Sequence, residues 1–260
     1  MTSLQSSSAL IVAHPGHELR VHGWLERERP EVFVLTDGSG STGRSRVLST
    51  AEVLRRAGAQ PGSVFGRFSD RDLYEMILEG RIEVLADLAR ELADAFIARG
   101  VETVAADAVE GFNPSHDLCR LVTDAAVVLA RRRTGRTIAS YGFLLEGRPD
   151  ASSGNGSSGA LRLELEDGAL ERKLAAARSY PEMAYEVEQA FERHGVAAFR
   201  IECLRPADPE ADVESLVEDP PYYERYGEQQ VAAGRYRQVL RFREHFLPLA
   251  RALRELGRTA

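Results

Sequence analysis

The chain alternates short runs of consecutive apolar residues with longer stretches in which apolar positions recur every three or four residues. The first kind of run, rich in β-branched side chains, predicts strands buried on both faces, and the second predicts helices with one apolar face. Ala9-Leu10-Ile11-Val12-Ala13 opens the strand series, and Glu31 to Thr36, Ser63 to Phe68, Val101 to Ala106, Thr137 to Tyr141 and Val196 to Leu204 continue it. Helical spacing covers Leu19 to Arg29, Val47 to Ala57, Leu73 to Arg99 with a break near Gly80-Arg81, and Leu118 to Leu129. It returns in Ala169 to Arg178 and, after Pro181, in Met183 to Arg193. Leu161 to Glu166 alternates apolar with polar, which suits a strand near a sheet edge. Buried strands alternating with helices predict an α/β fold, a Rossmann-like and mostly parallel sheet flanked by helices, with a C-terminal helical tail. In this reading residues 1–219 form the α/β domain and residues 220–260 a helical extension packed on it.

Composition narrows the classes of function. A chain of 260 residues can bury a full core, and its net charge of −7 argues against a nucleic-acid surface spread over the molecule. Cys119 and Cys203 form no C-x-x-C pair and read as reduced thiols. No stretch has the length of a membrane span, and Met1 to Ser8 lacks the pattern of a signal peptide, so a cytoplasmic location is expected. Lys173 is the sole lysine, which reads as genome composition rather than function. Ala151 to Gly159 is rich in Ser and Gly and predicts a mobile connection or a lid.

The candidate chemistry sits where two strands end. After the first strand come His14-Pro15-Gly16-His17-Glu18, and Pro15 suits the first position of a helix, which would place His14 and His17 on one side. After the strand ending at Ala106, Asn113-Pro114 is a cap and first-turn pair that puts His116 in the first turn of a helix. Strand-to-helix junctions of one parallel sheet open on the same edge, so the three histidines can converge, and three imidazoles suit zinc with a fourth position left for water or substrate. Asp37 to Gly43 is a glycine-rich loop at the end of the second strand, but it lacks phosphate-binding spacing and makes nucleotide binding a poor expectation. Arg44 and Arg46 beside it can grip a polar or anionic ligand. In the tail, Tyr222, Tyr223, Tyr226 and Tyr236 interleave with arginines, a combination that stacks on sugars, fills a homo-oligomer interface or packs on its own domain.

These residues resemble the PIG-L/LmbE family of zinc-dependent N-acetylglucosaminyl deacetylases, whose motifs are A-H-P-D-D-E after the first strand and H-P-D-H at a later junction. Ala13-His14-Pro15-Gly16-His17-Glu18 and Asn113-Pro114-Ser115-His116 occupy those places. A Thr-x-Gly turn at Thr36-Asp37-Gly38, Asp70 ahead of a long helix, and Lys173, Ala177 and Tyr180 on a late helix fall in family order, over roughly Leu10 to Arg205. The resemblance implies a small-molecule or glycoconjugate substrate and zinc or another divalent metal at His14, His17 and His116. It also exposes departures. His17 stands where the family has a liganding aspartate, which makes the centre more electropositive. Gly16 stands in place of the general-base aspartate, and Asn113 in place of the oxyanion-stabilising histidine. Asp37 is the first candidate for a replacement base, Glu18 reads as a partner that orients a ligand, and Asn113 can still donate to an oxyanion. Asp117 reads as a favourable charge at the helix start. Arg44, Arg46 and Asp70 are the expected substrate-binding side chains. The expected function is metal-dependent deacetylation of an N-acetylated sugar; the alternative is an impaired member that binds a glycan or a protein.

Overall fold

The structure is a computed structural model that describes residues 7–40, 43–148 and 159–259. Ser41, Thr42 and the Ala151–Ser158 part of the predicted loop lie outside the described residues. The fold is α/β, with one seven-stranded, mostly parallel sheet between helices. In chain order β1 (Ser8–Val12) leads through a 3-10 turn at His17–Val21 to α1 (His22–Glu28), β2 (Glu31–Thr36), α2 (Val47–Ala57) and β3 (Gln60–Phe68). Next come α3 (Asp70–Glu79), α4 (Ile82–Arg99), β4 (Thr103–Asp107), α5 (Pro114–Thr134), β5 (Ala139–Phe143) and β6 (Leu161–Glu164). The chain finishes with α6 (Asp167–Arg178), α7 (Ala184–His194), β7 (Ile201–Pro206), α8 (Tyr222–Ala232) and α9 (Leu247–Thr259), the last preceded by a π-turn at Phe242–Phe246.

Local chemistry explains most boundaries. Gly58, Gly80 and Gly100 end α2, α3 and α4 in the left-handed conformation that closes a helix C-terminus. Ser69 and Asp72 form a capping box on α3, and the Asn113 side chain caps α5 by accepting from Ser115 N at 2.9 Å. Pro15 does not open a helix as its sequence context suggests. Gly16 turns to φ +105° and a 3-10 turn starts at His17, so His14 and His17 are joined by a tight turn rather than stacked on a helix face.

Strand order is β3-β2-β1-β4-β5-β7-β6, parallel from β3 to β5 and antiparallel where β7 inserts between β5 and β6. The expected strand from Val196 begins instead as a 3-10 turn through Arg200. Alternate residues of each central strand serve opposite cores. Ala9, Ile11, Phe33 and Val104 face the core built by α3, α4, α5 and α9, whereas Leu10, Val12, Val32 and Ala105 face the core under α1, α2, α6 and α7. The apolar side of α9, with Leu249, Ala250 and Leu253, belongs to the first of these cores. Among the described residues, no helix is long and apolar enough to cross a membrane. The order of connections reverses between β1 and β4, and at that crevice an open α/β sheet presents its strand ends to ligands.

Candidate functional site

The three histidines meet at this crevice. His14 follows the end of β1, His17 begins the turn after it, and His116 lies in the first turn of α5. Their ring centroids are 5.1 Å apart for His14–His17, 5.1 Å for His14–His116 and 4.5 Å for His17–His116. With metal–nitrogen bonds of about 2.0–2.1 Å, imidazoles sharing one tetrahedral ion hold their centroids about 5 Å apart. Among the described residues no group of three or more His, Cys, Asp or Glu side chains is placed, as it stands, to hold a metal ion. The fit to a metal therefore rests on ring spacing and on what holds each ring.

Two rings are held from behind. His14 Nδ1 lies 2.8 Å from both Asp70 Oδ1 and Thr36 Oγ1, and His17 Nδ1 lies 2.9 Å from Asp107 Oδ2. Each contact uses Nδ1 and leaves Nε2 for the crevice, the arrangement in which a carboxylate fixes a ligand imidazole. Burial holds His17 and His116 well below the usual imidazole range, and the neighbouring imidazoles push them further down. Both are thus neutral near pH 7, the form that coordinates a metal. Asp107 is fully buried, accepts from Ala13 N at 2.8 Å, and is pushed by burial up to about 7. Its Oδ1 has no hydrogen-bond partner. A dication held beyond His17 would compensate this buried carboxylate, so the donor chemistry fits. For Asp70, burial pushes the carboxyl upward, but its hydrogen bonds with His14, Thr36 and the Gly40 N–H prevail and hold it below the ordinary range.

The histidines line a cavity of about 1040 Å³, together with Asn113, Arg46, Asp70 and Met183. Other expected site residues are placed elsewhere. The Asp37 carboxylate accepts from Ser39 N at 2.9 Å within its own loop and does not line the cavity, and neither does Arg44. Glu18 is fully buried beneath the turn, where it accepts from Gly16 N at 2.8 Å and from the Tyr180 hydroxyl, itself 2.8 Å from Thr50 Oγ1. It braces the turn that carries His14 and His17 instead of contacting either ring, and burial pushes its carboxyl upward. Asp117 accepts from Glu110 N at 2.9 Å and Gly111 N at 3.1 Å, so it ties down the loop ahead of α5. Asp70 does line the cavity, but as the partner of His14. The sequence motifs do not point to Asp107, although a carboxylate ending a buried central strand is a usable signal.

The left-handed backbone at Gly16 calls for the glycine, and Met183 occupies the space beside it. A Cβ at Gly16 would lie 2.4 Å from Met183 Sδ, so the thioether fills the space into which a side chain at this position would project. Gly16→Asp is accordingly expected to destabilise the fold by about 1–3 kcal/mol through strain at positive φ, with the clash added. Gly16→Asp/Met183→Ala should recover the clash but not the strain. Denaturant midpoints of the two variants check this; an unshifted midpoint for Gly16→Asp would contradict it.

No family model and no curated protein matches the chain. Among solved structures, the conserved protein TT1542 from Thermus thermophilus superposes with a TM-score of 0.54 at 17% identity, covering 78% of this chain and 95% of that one. That likeness establishes the fold. The A40926 pseudoaglycone deacetylase Dbv21 aligns at 15% identity with a TM-score of 0.47, over 78% of this chain and 97% of its own. A zinc-inhibited form of teicoplanin deacetylase Orf2 aligns at 11% identity with a TM-score of 0.47, over 78% and 99%.

Proposed function

We propose that the chain is a metal-dependent amide hydrolase that removes the acyl group from an N-acetylated sugar or glycoconjugate. The observation that carries this reading is the gathering of three imidazoles, two of them fixed through Nδ1, at the sheet's switch point. His14, His17 and His116 would hold zinc or another divalent cation. A cation bound there supplies Lewis acidity toward an amide carbonyl. Asp70 and Thr36 orient His14, and Asp107 orients His17. The Asn113 oxygen is committed to Ser115 N, which leaves its amide N–H groups to donate to developing negative charge on the carbonyl oxygen. Arg46 lines the cavity with its Nη2 3.9 Å from Glu186 Oε1, a pairing loose enough to yield to a polar substrate group. The motif resemblance supports the choice of an acylated amino sugar.

One observation favours a second reading, in which the protein binds such a ligand without turnover. Met183 covers Gly16, and the carboxylates lining the cavity are Asp70, engaged with His14, and Glu75, paired with Arg71 at 2.8 Å. No uncommitted carboxylate among the described cavity residues stands ready to accept a proton. Acetate release from N-acetylglucosamine conjugates, with and without added zinc, separates the two readings. Metal-dependent release supports the hydrolase, and saturable binding with no release supports the second. Asp107→Asn is expected to lower zinc affinity by roughly 10–100-fold, because it weakens the grip on His17 and removes a buried charge that favours the cation. Competition with a chromogenic chelator reads the change; an unaltered affinity would detach Asp107 from the centre.

A further inference from the structure

The cavity extends from the histidines along a row of aromatic rings that the chemistry above does not use. Phe112, the residue before Asn113, stacks on Tyr222 with centroids 4.7 Å apart and parallel planes. Tyr222 leads to Tyr226 at 6.0 Å, Tyr226 to Tyr236 at 6.4 Å, and Tyr236 to Tyr74 on α3 at 6.2 Å. All five rings line the cavity, and Phe112, Tyr222, Tyr226 and Tyr236 remain 39–43% exposed. Tyr74 packs against the core, but core packing does not account for the other four. α8 buries Tyr223, Gly227 and Gln230, whereas Tyr222 and Tyr226, one turn apart, form a separate face where a polar pair would satisfy folding. The row is also fixed in place: Glu224 on α8 accepts from Arg241 Nη1 and from Phe242 N, each at 2.8 Å, which ties the helix to the chain that follows Tyr236.

We infer that this row is a track for further sugar rings of the substrate, so that the ligand is an oligosaccharide, free or as the glycan part of a glycoconjugate, and not a single sugar. The inference rests on the reading of the histidines as a centre for N-acylated sugars. A pyranose has an apolar C–H face that stacks on an aromatic ring and a hydroxyl rim that needs polar neighbours. Four of the five rings carry hydroxyls, and Glu75, Arg235, Arg237 and Gln238 flank them. A long acyl chain would instead call for aliphatic walls, and the aliphatic side chains of the lining, Pro15, Leu78, Pro114, Met183 and Leu240, are outnumbered by aromatic and polar ones. The row is several ring spacings long, more than one sugar can cover.

Calorimetric titration with N-acetylglucosamine and with its β-linked tetramer tests this on the zinc-loaded protein and on His116→Ala. The tetramer is expected to bind about tenfold more tightly than the monomer, as two or more stacked rings would give. The gradient should persist in His116→Ala, and Tyr226→Ala and Tyr236→Ala should abolish it with zinc content and melting temperature unchanged. Equal affinity for monomer and tetramer, or a gradient that survives both tyrosine substitutions, would overturn the track; acetate release from the monomer would then still leave the hydrolase reading standing. A p-nitrophenyl glycoside of the single sugar that binds as tightly as the tetramer would also overturn it, by assigning the row to an aromatic aglycone. A preserved length gradient without acetate release would support the track and count against the hydrolase.

Discussion

Replacing His116 with alanine is expected to lower zinc affinity by more than roughly 100-fold, because loss of a ligand exceeds the 10–100-fold typical of losing a ligand's outer partner. His14 and His17 come from one tight turn, and His116 arrives on a separate helix, so its removal leaves two donors from the same segment and an open coordination sphere. Stability of the metal-free protein should change by about 1 kcal/mol or less, since the lost group is a neutral ring at the cavity wall. Inductively coupled plasma analysis after dialysis, with a thermal melt of each apo-protein, reads both quantities. Retention of zinc at the wild-type level would mean that another donor set holds the metal.

Lys173→Met is expected to destabilise the fold by about 3–5 kcal/mol, the cost of leaving one partner of a buried ion pair without the other. The Lys173 and Glu202 side chains are 3% and 0% exposed, with Nζ 2.8 Å from Glu202 Oε1 and 3.0 Å from the Arg20 carbonyl. Glu202 also accepts from Gly23 N and Trp24 N, each at 2.8 Å, so this carboxylate on β7 holds the start of α1. Burial lowers the lysine's pKa, and the charge of Glu202 and its bond oppose that fall. Removing the ammonium strands a carboxylate whose remaining neutral N–H partners cannot offset its desolvation. Adding Glu202→Gln should recover part of the loss, because the amide oxygen still accepts an N–H while no charge is buried. Urea unfolding measures all three proteins, and a loss below about 1 kcal/mol for Lys173→Met would contradict the account.

The sole lysine thus acquires a structural reason that composition does not supply. Its case marks where the sequence is legible and where it is not. Strands β1 and β2, helix α2, the break between α3 and α4, and the caps at Ser69, Asn113 and Gly58 depend on residues within a few positions of one another, and they read directly from the chain. Histidines at two strand-to-helix junctions are legible for a related reason: in a parallel sheet all such junctions open on one edge. Contacts fixed by the path of a distant segment are not. Asp37 looks as well placed as Asp70, yet the loop turns Asp37 onto Ser39 N while the start of α3 presents Asp70 to His14. Nothing around Gly16 announces Met183, more than 160 residues on. The tail's tyrosines are visible as a pattern, but only the placement of α8 against Phe112 shows that they extend the cavity. The antiparallel entry of β7 between β5 and β6 likewise depends on long-range pairing that periodicity does not encode.

Zinc K-edge X-ray absorption on protein reconstituted with one equivalent of zinc asks whether His14, His17 and His116 share one divalent cation. Zinc is expected to stay bound through dialysis, with three imidazole nitrogens at about 2.0–2.1 Å in its coordination shell. Zinc that washes out, or a shell with one imidazole or none, would contradict it.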